Sequence, residues 1–182
     1  HLEGKGVLTH DAGGLAQKGG ATWSHIQIAD TPDHIFTTKV DMAKAMLEMA
    51  YSLGAPVLLA CSSTSQHASA DLDVIARDLR KLAMLAVPLG IKVAYEGLSW
   101  GRTINEFTTA WDVVCRADAP NLGLGLDSFH AFATKTSLDD LELIDPRKIF
   151  LVQLADFMWQ EIRTVEERIE TARHFRVFPG EG

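Results

Sequence analysis

Apolar segments that end at a polar residue alternate along this chain with segments of helical periodicity. Four of them carry apolar residues at odd and even positions alike, as expected for strands buried on both sides in a parallel sheet. These four span residues 55–63, 91–97, 121–128 and 148–156. Residues 23–30 form a weaker fifth candidate. The pattern therefore predicts at most five strands, all parallel.

The segments between these strands predict amphipathic helices with one apolar face each. In residues 41–54, a methionine-rich stripe is expected to pack as core against the sheet, and Gly54 to end the helix. Pro88 and Gly90 end the next helix. Residues 137–144 begin with a capping-box-like Ser137, and a charged, exposed helix covers residues 161–175. The three predicted apolar stripes are Met42, Met46, Met49 and Leu53; Leu72, Ile75, Leu79, Leu82 and Ala86; and Ile104, Phe107, Trp111 and Val114.

Alternation of strands and helices predicts an α/β protein with right-handed crossovers. No GxGxxG follows a strand and no GxxxxGK[ST] is present, which disfavours a nucleotide-binding sheet. Strand ends at a roughly regular spacing favour a (β/α)8 TIM barrel instead. Since a complete barrel takes about 250 residues, we expect one incomplete barrel domain over residues 1–182, truncated at both ends, in a polypeptide that extends further in both directions.

Composition excludes several classes of protein. The 182 residues are 47% hydrophobic and 23% charged, and the net charge of −7 argues against a nucleic-acid-binding surface. The sequence has no apolar run long enough to cross a membrane, and no signal peptide is apparent. Cys61 and Cys115 do not form a CxxC pair, so we expect a cytoplasmic protein in which Cys61 is an ordinary buried residue.

Three oxygen-bearing side chains end successive predicted strands: Glu96, Asp127 and Gln153. The functional side chains of a parallel barrel collect at the carboxyl ends of its strands. Three such oxygens would converge on a hard divalent cation such as Mg²⁺ or Mn²⁺. Alternatively, each acid caps the following helix or pairs with an arginine. The sequence favours a metal site, because all three residues occupy equivalent strand ends.

Further polar residues lie close to these strand ends. His130 follows Asp127 by three residues, which favours a general base or acid at the mouth of the barrel. Arg173, His174 and Arg176 form either an anion clamp, with Arg176 gripping a substrate carboxylate, or a solvated helix end. Trp100 and Trp159 either wall a pocket or simply pack.

Four motifs in this order resemble bacterial 3-dehydroshikimate dehydratase of the xylose-isomerase-like barrel superfamily: YEGLSWG, LDSFH, IFLVQLAD and ARHFRVFPGEG. The resemblance implies that Glu96, Asp127 and Gln153 bind a divalent metal (Mg, Mn or Co), that His130 is the catalytic histidine and that Arg176 binds substrate. Many relatives have histidine at position 153, so glutamine there favours the dehydratase. The family's fourth ligand, a later glutamate, has no counterpart before Gly182, and Ala172 replaces a serine common in the family.

The resemblance implies a metal-dependent lyase that dehydrates 3-dehydroshikimate, a small carboxylate, to protocatechuate. A sugar or inositol isomerase or epimerase on the same barrel is the main alternative. A non-catalytic binding module built from an incomplete barrel is a third possibility. The expected partners are a small-molecule carboxylate and a second copy of the chain in a homo-oligomer, with no nucleic acid and no membrane.

Overall fold

A five-stranded parallel sheet forms the centre of the structure. The computed structural model describes residues 21–24, 33–158 and 161–182. Within these ranges the strands lie side by side in chain order. They are β1 (Ala21–Ser24), β2 (Val57–Cys61), β3 (Lys92–Glu96), β4 (Leu122–Asp127) and β5 (Ile149–Gln153). The predicted parallel organisation of these five strands is confirmed, but the limit of five strands is wrong, because a short antiparallel pair follows them. Most of the first predicted strand, residues 25–30, lies outside the described residues.

The two faces of the sheet carry different apolar clusters, because side chains alternate along a strand. Leu58, Val93 and Leu124 belong to the larger cluster, which also contains the buried side chains of the helices. Leu59 and Ala94 belong to a smaller cluster on the opposite face. Residues after Ala94 continue this alternation, so the last residue of β3 lies on the same face as the smaller cluster. This face corresponds to the interior of a barrel.

Glycines in β4 leave room for large neighbours on the interior face. A Cβ atom at Gly125 would lie 2.7 Å from Leu59 Cδ1, a distance that packed carbon atoms do not adopt. It would also contact the Cβ of Glu96 at 3.6 Å. Glycine at this position therefore lets the Leu59 side chain fill the interior directly beside the end of β3.

Five helices accompany the strands: α1 (Asp33–Ser52), α2 (Leu72–Ala86), α3 (Phe107–Ala117), α4 (Ser128–Thr134) and α5 (Val165–His174). The predicted stripes of α2 and α3 are confirmed, with Leu79 and Val114 buried in the larger cluster. A 3-10 helix over Leu138–Leu143 replaces the short α-helix predicted there. None of the helices in the described ranges is long and apolar enough to span a membrane.

The predicted methionine stripe of α1 is wrong for Met42 and Met49, although Met46 does pack against the core. Met42 and Met49 are each 46% exposed, whereas Ala43, Leu47 and Ala50 face the core. The two stripes lie one position apart on the helix, so both satisfy a helical period. The observed stripe has two small residues, which allow α1 to approach its neighbours more closely than a row of methionines would.

A short antiparallel pair closes the described fold near the carboxyl end of the sheet. Strand β6 (Asp156–Phe157) follows β5 after two residues and pairs with β7 (Arg176–Val177). In this pairing Phe157 lies opposite Arg176. The pair therefore returns the chain after α5 to the edge where β4 and β5 end, and places an arginine there.

Candidate metal centre

Three buried polar side chains meet at the carboxyl ends of β3 and β4. Glu96, Asp127 and His130 each offer one potential ligand atom, and these atoms lie within 4.8 Å of one another. Their residues are only 4%, 7% and 6% exposed. Gln153 joins them from the end of β5, because its Nε2 donates to Glu96 Oε1 at 3.4 Å. The structure thus brings Glu96, Asp127, Gln153 and His130 to one point, although they lie far apart in sequence.

Strand register explains why these residues converge. Glu96 is the last residue of β3 and Asp127 the last of β4, and Asp127 is the register partner of Gln153 in β5. Asp127 is also the N-cap of α4: its Oδ1 accepts the Phe129 amide hydrogen at 2.9 Å. His130 consequently lies in the first turn of α4, directly above the end of β4. The sequence prediction placed His130 in a loop or first turn, but α4 itself was not predicted.

The cluster holds two carboxylates in a buried environment, which is unfavourable for both to be ionised. Burial, and then the charge of Asp127, raise the pKa of Glu96 to about 8. A hydrogen bond from Cys61 and the charge of Arg176 oppose this increase. Arg176 lies close enough to matter, because its Nη1 donates to Asp127 Oδ2 at 2.7 Å. A cation is therefore favoured between these two acids.

His130 is held in one tautomer by the backbone after β3. The Ser99 N–H donates to His130 Nδ1 at 3.1 Å, and Ser99 Oγ lies 3.0 Å from the same atom. Because a backbone amide can only donate, Nδ1 carries the lone pair and Nε2 carries the proton. Burial lowers the pKa of His130 to about 4, although the charge of Asp127 opposes this change. The ring is therefore neutral at physiological pH.

This tautomer gives His130 a role different from that of the acids. Its Nε2 lies 3.9 Å from Asp127 Oδ2, which is longer than a hydrogen bond. With Nδ1 bonded to Ser99 and Nε2 protonated, neither nitrogen offers a lone pair to a cation. We therefore interpret Glu96, Asp127 and Gln153 as the cation ligands and His130 as a hydrogen-bond donor beside them. For Gln153 to offer Oε1, its amide must rotate from the present orientation.

Aromatic rings fix the plane of the imidazole. The rings of Trp100 and Phe129 contact His130 edge-on, with centroid distances of 4.9 and 5.4 Å. The guanidinium carbon of Arg176 lies over the Phe129 ring, 4.7 Å from its centroid. Trp100 thus lines the candidate site, while Trp159 lies outside the described residues.

The three basic residues near the end of α5 divide into two groups. Arg176 reaches the cluster, where its Nη1 binds Asp127 and its Nε donates to the Ala172 carbonyl at 3.0 Å. Arg173 and His174 are exposed, and His174 Nε2 lies 3.9 Å from Glu170 one turn earlier in α5. The structure does not bring these two residues to the cluster, so the interpretation as a solvated helix end fits them better than an anion clamp.

Several contacts at the cluster were not predicted from the sequence. Cys61 is buried as expected, but its Sγ also donates to Glu96 Oε2 at 3.5 Å. Burial raises the pKa of this thiol well above its ordinary value, and the charge of Glu96 adds to the increase. The Ser99 amide and an arginine of α5, Arg168, hold the turn beside His130. Strand register could have suggested the Cys61 contact, since Cys61 lies opposite Glu96.

A family model supports the same fold. The model for the xylose isomerase-like TIM barrel matches residues 8–182. The chain belongs to this family. The fold of the described strands is accordingly part of a TIM barrel, as the strand pattern and the four motifs predicted.

Curated relatives include enzymes of two kinds. The 3-dehydroshikimate dehydratase of Pseudomonas aeruginosa is 38% identical over 143 residues, which cover 79% of this chain and 22% of that protein. The inosose isomerase of Bacillus licheniformis is 31% identical over 147 residues, covering 79% of this chain and 51% of that protein. The chain therefore spans about a fifth of the length of the dehydratase and half that of the isomerase. The resemblance to the dehydratase is confirmed.

Solved structures give the same picture. A xylose isomerase-like TIM barrel/4-hydroxyphenylpyruvate dioxygenase fusion protein superposes with a TM-score of 0.80 at 32% identity, over 91% of this chain and 25% of that one. The IOLI protein with a binding zinc atom superposes with a TM-score of 0.73 at 26% identity, over 89% of this chain and 58% of that one. Together with the cluster of Glu96, Asp127 and His130, the zinc-containing neighbour supports a divalent metal in this chain.

Proposed function

We propose that this chain is part of a divalent-metal-dependent lyase that dehydrates 3-dehydroshikimate to protocatechuate. The observation that carries the proposal is the buried pair of Glu96 and Asp127, which shares one strand-end cluster with His130 and Arg176. An acid pair suits a hard cation, a neutral histidine suits hydrogen-bond donation, and an arginine suits a carboxylate substrate. Similarity to the Pseudomonas dehydratases supports the choice of substrate.

The residues present fit a divalent cation. Glu96, Asp127 and Gln153 would hold it, and all three offer oxygen, the donor that Mg²⁺ and Mn²⁺ prefer. The raised pKa of Glu96, caused by burial and then by the charge of Asp127, supports the proposal, because a cation beside the two acids would offset their repulsion. Such a cation, when bound, would polarise the ring ketone next to the carbon that loses its proton.

The elimination breaks one C–H bond and one C–O bond: a base takes the proton from the carbon next to the ketone, and one proton leaves with the β-hydroxyl as water. A second ring C–H proton then moves to the ketone oxygen, and this shift makes the ring aromatic. His130 presents Nε2–H to the site, so it can donate a hydrogen bond to the departing hydroxyl or to the ketone oxygen. In this tautomer Nε2 cannot accept the carbon-bound proton, so we assign His130 to donation rather than to proton removal.

Arg176 would bind the substrate carboxylate. Its described contacts use Nε, which bonds Ala172, and Nη1, which bonds Asp127. A guanidinium has five N–H donors in a planar fork. Among the described residues no hydrogen bond uses Nη2, so its donors remain for the substrate carboxylate. Packing over the Phe129 ring holds the fork in place.

An isomerase or epimerase on the same barrel is the second candidate, because the inosose isomerase relative covers 79% of this chain and the zinc-containing neighbour superposes over 89% of it. It would use the same cation and the same donor but would not expel water.

The test is to incubate the purified protein with 3-dehydroshikimate and Mn²⁺, Mg²⁺ or Co²⁺, and to follow ultraviolet absorbance of the catechol product. Activity should require the metal and be lost in Glu96→Gln, but not in the exposed control Glu142→Gln. Turnover of an inosose without release of a catechol would replace the proposal with the isomerase, and turnover of neither would favour a binding module.

A further inference from the structure

We infer that Arg168 is a positioning residue for His130, acting through the peptide groups on either side of Ser99. Arg168 lies in α5, far in sequence from the turn that follows β3. Its Nη1 donates to the Ser99 carbonyl at 2.8 Å, and the Ser99 N–H in turn donates to His130 Nδ1. The kinetic part of this inference rests on the proposed function, whereas its structural part does not.

Several backbone groups of the turn after β3 are held by hydrogen bonds. The Leu98 N–H donates to Ser62 Oγ at 3.0 Å, and the Gly101 N–H donates to the Leu98 carbonyl at 2.6 Å. Ser62 is itself tied to β3, because its N–H donates to the Glu96 carbonyl at 2.8 Å. The Leu98–Ser99 peptide is therefore held by its oxygen, while its N–H points at the imidazole.

The next peptide, Ser99–Trp100, is held by Arg168. Ser99 is 1% exposed, so its carbonyl oxygen has no access to bulk water and needs a protein donor. Arg168 supplies that donor, although its own Nε is buried and has no partner among the described residues. An unpartnered buried N–H is costly, which indicates that this arginine is placed for the turn rather than for the best hydrogen bonding of its own side chain.

Loss of the Arg168 hydrogen bond would affect two contacts of the His130 ring, one with Ser99 and one with Trp100. The Ser99–Trp100 peptide and the peptide that carries the Ser99 N–H share the Ser99 Cα. Rotation of the Ser99–Trp100 peptide would displace this Cα and lengthen the hydrogen bond from the Ser99 N–H to Nδ1. It would also shift Trp100, whose ring packs edge-on against His130. Without the Ser99 N–H, nothing in the turn distinguishes the two neutral tautomers of His130. Arg168 therefore keeps Nε2–H directed into the site without touching the cluster itself.

The test reads the tautomer of His130 directly, by NMR on uniformly ¹⁵N-labelled protein. Wild-type protein should show an unprotonated Nδ1, a protonated Nε2, and a scalar coupling across the hydrogen bond from the Ser99 amide nitrogen to Nδ1. His130→Gln identifies the signals. A wild-type ring protonated at Nδ1, or lacking that coupling, overturns the inference without the need for any other variant.

Arg168→Met should give a mixture of His130 tautomers. It should also lower kcat for dehydration by up to about tenfold and leave KM nearly unchanged, because a small misplacement of a donor weakens catalysis more than binding. Arg168→Lys, which retains a charged N–H donor, should restore both the single tautomer and the wild-type kcat. Arg163→Met makes the same change at an exposed arginine just before α5 and should alter neither. A wild-type tautomer and kcat in Arg168→Met would refute the positioning role. If wild-type protein shows the expected tautomer but no dehydration, the proposed function fails and the tautomer alone decides the role of Arg168.

Discussion

Replacing Glu96 with glutamine should stabilise the metal-free protein even though it removes a group of the proposed active site. Burial, and then the negative charge of the neighbouring Asp127, raise the pKa of Glu96 from 4.5 to about 8. Glutamine has nearly the same shape and can still accept from Gln153, while its amide can donate to Cys61 Sγ. The substitution therefore removes the unfavourable ionisation with little change in packing.

The size and sign of the effect follow from proton linkage. Between pH 4.5 and pH 8 the unfolded chain has released the Glu96 proton while the folded protein keeps it, so raising the pH lowers the free energy of unfolding. Each pH unit in this window is worth about 1.4 kcal/mol. At pH 7 the penalty in the wild-type protein is on the order of 3 kcal/mol. Near pH 5 it nearly vanishes.

Urea unfolding in the presence of a chelator measures this directly. Glu96→Gln and wild type should have similar free energies of unfolding at pH 5. As the pH rises to 8, the wild-type value should fall relative to that of the variant, so that the variant becomes the more stable of the two. Saturating Mn²⁺ should reverse the order, because binding stabilises only the protein that retains the ligand. Glu142→Gln, the same change at an exposed position, should show neither effect. A variant that is less stable without metal at every pH would refute the reasoning.

Three further outcomes are expected. Gly101→Ala should lower the free energy of unfolding by about 2 kcal/mol or more in urea titrations, because its Cβ would lie 2.1 Å from the Ile104 carbonyl oxygen; wild-type stability would contradict this. Cys61→Ser should retain metal binding by calorimetry and dehydration activity, since a hydroxyl also donates to Glu96; loss of activity with metal bound and the fold intact would show that the thiol has a chemical role. Arg176→Lys should raise KM about tenfold in steady-state kinetics, because a point charge replaces the planar fork; an unchanged KM would remove Arg176 from substrate binding.

The strands and the residues at their ends could be predicted from sequence because a clear apolar run marks each strand. Burial on two faces accounts for this run in β2, β3 and β4, whereas β5 is only partly buried and its Val152 is 55% exposed. Where that run stops at a polar residue, the parallel arrangement alone determines that neighbouring ends lie together. Glu96, Asp127 and Gln153 were found in this way, and the strand register pairs Asp127 directly with Gln153.

Contacts that depend on the path of a loop could not be predicted in this way. The carbonyl of Ser99 meets Arg168, 69 residues later in the chain, and neither residue belongs to a periodic pattern that points to the other. The apolar stripe of α1 failed for a different reason: two adjacent stripes satisfy the same period, and only packing distance decides between Met46 and Leu47 as its centre.

Asp127 illustrates why two interpretations of a strand-end acid need not exclude each other. The sequence allowed a metal ligand, or a residue that caps a helix or pairs with an arginine, and the structure shows that Asp127 caps α4 and pairs with Arg176. A carboxylate has about four lone-pair positions on its two oxygens. The Phe129 amide uses one on Oδ1 and Arg176 uses one on Oδ2, so each oxygen retains a position for a cation. The cap and the arginine thus orient the carboxylate beside Glu96 without using up the oxygen positions that the proposed cation would need.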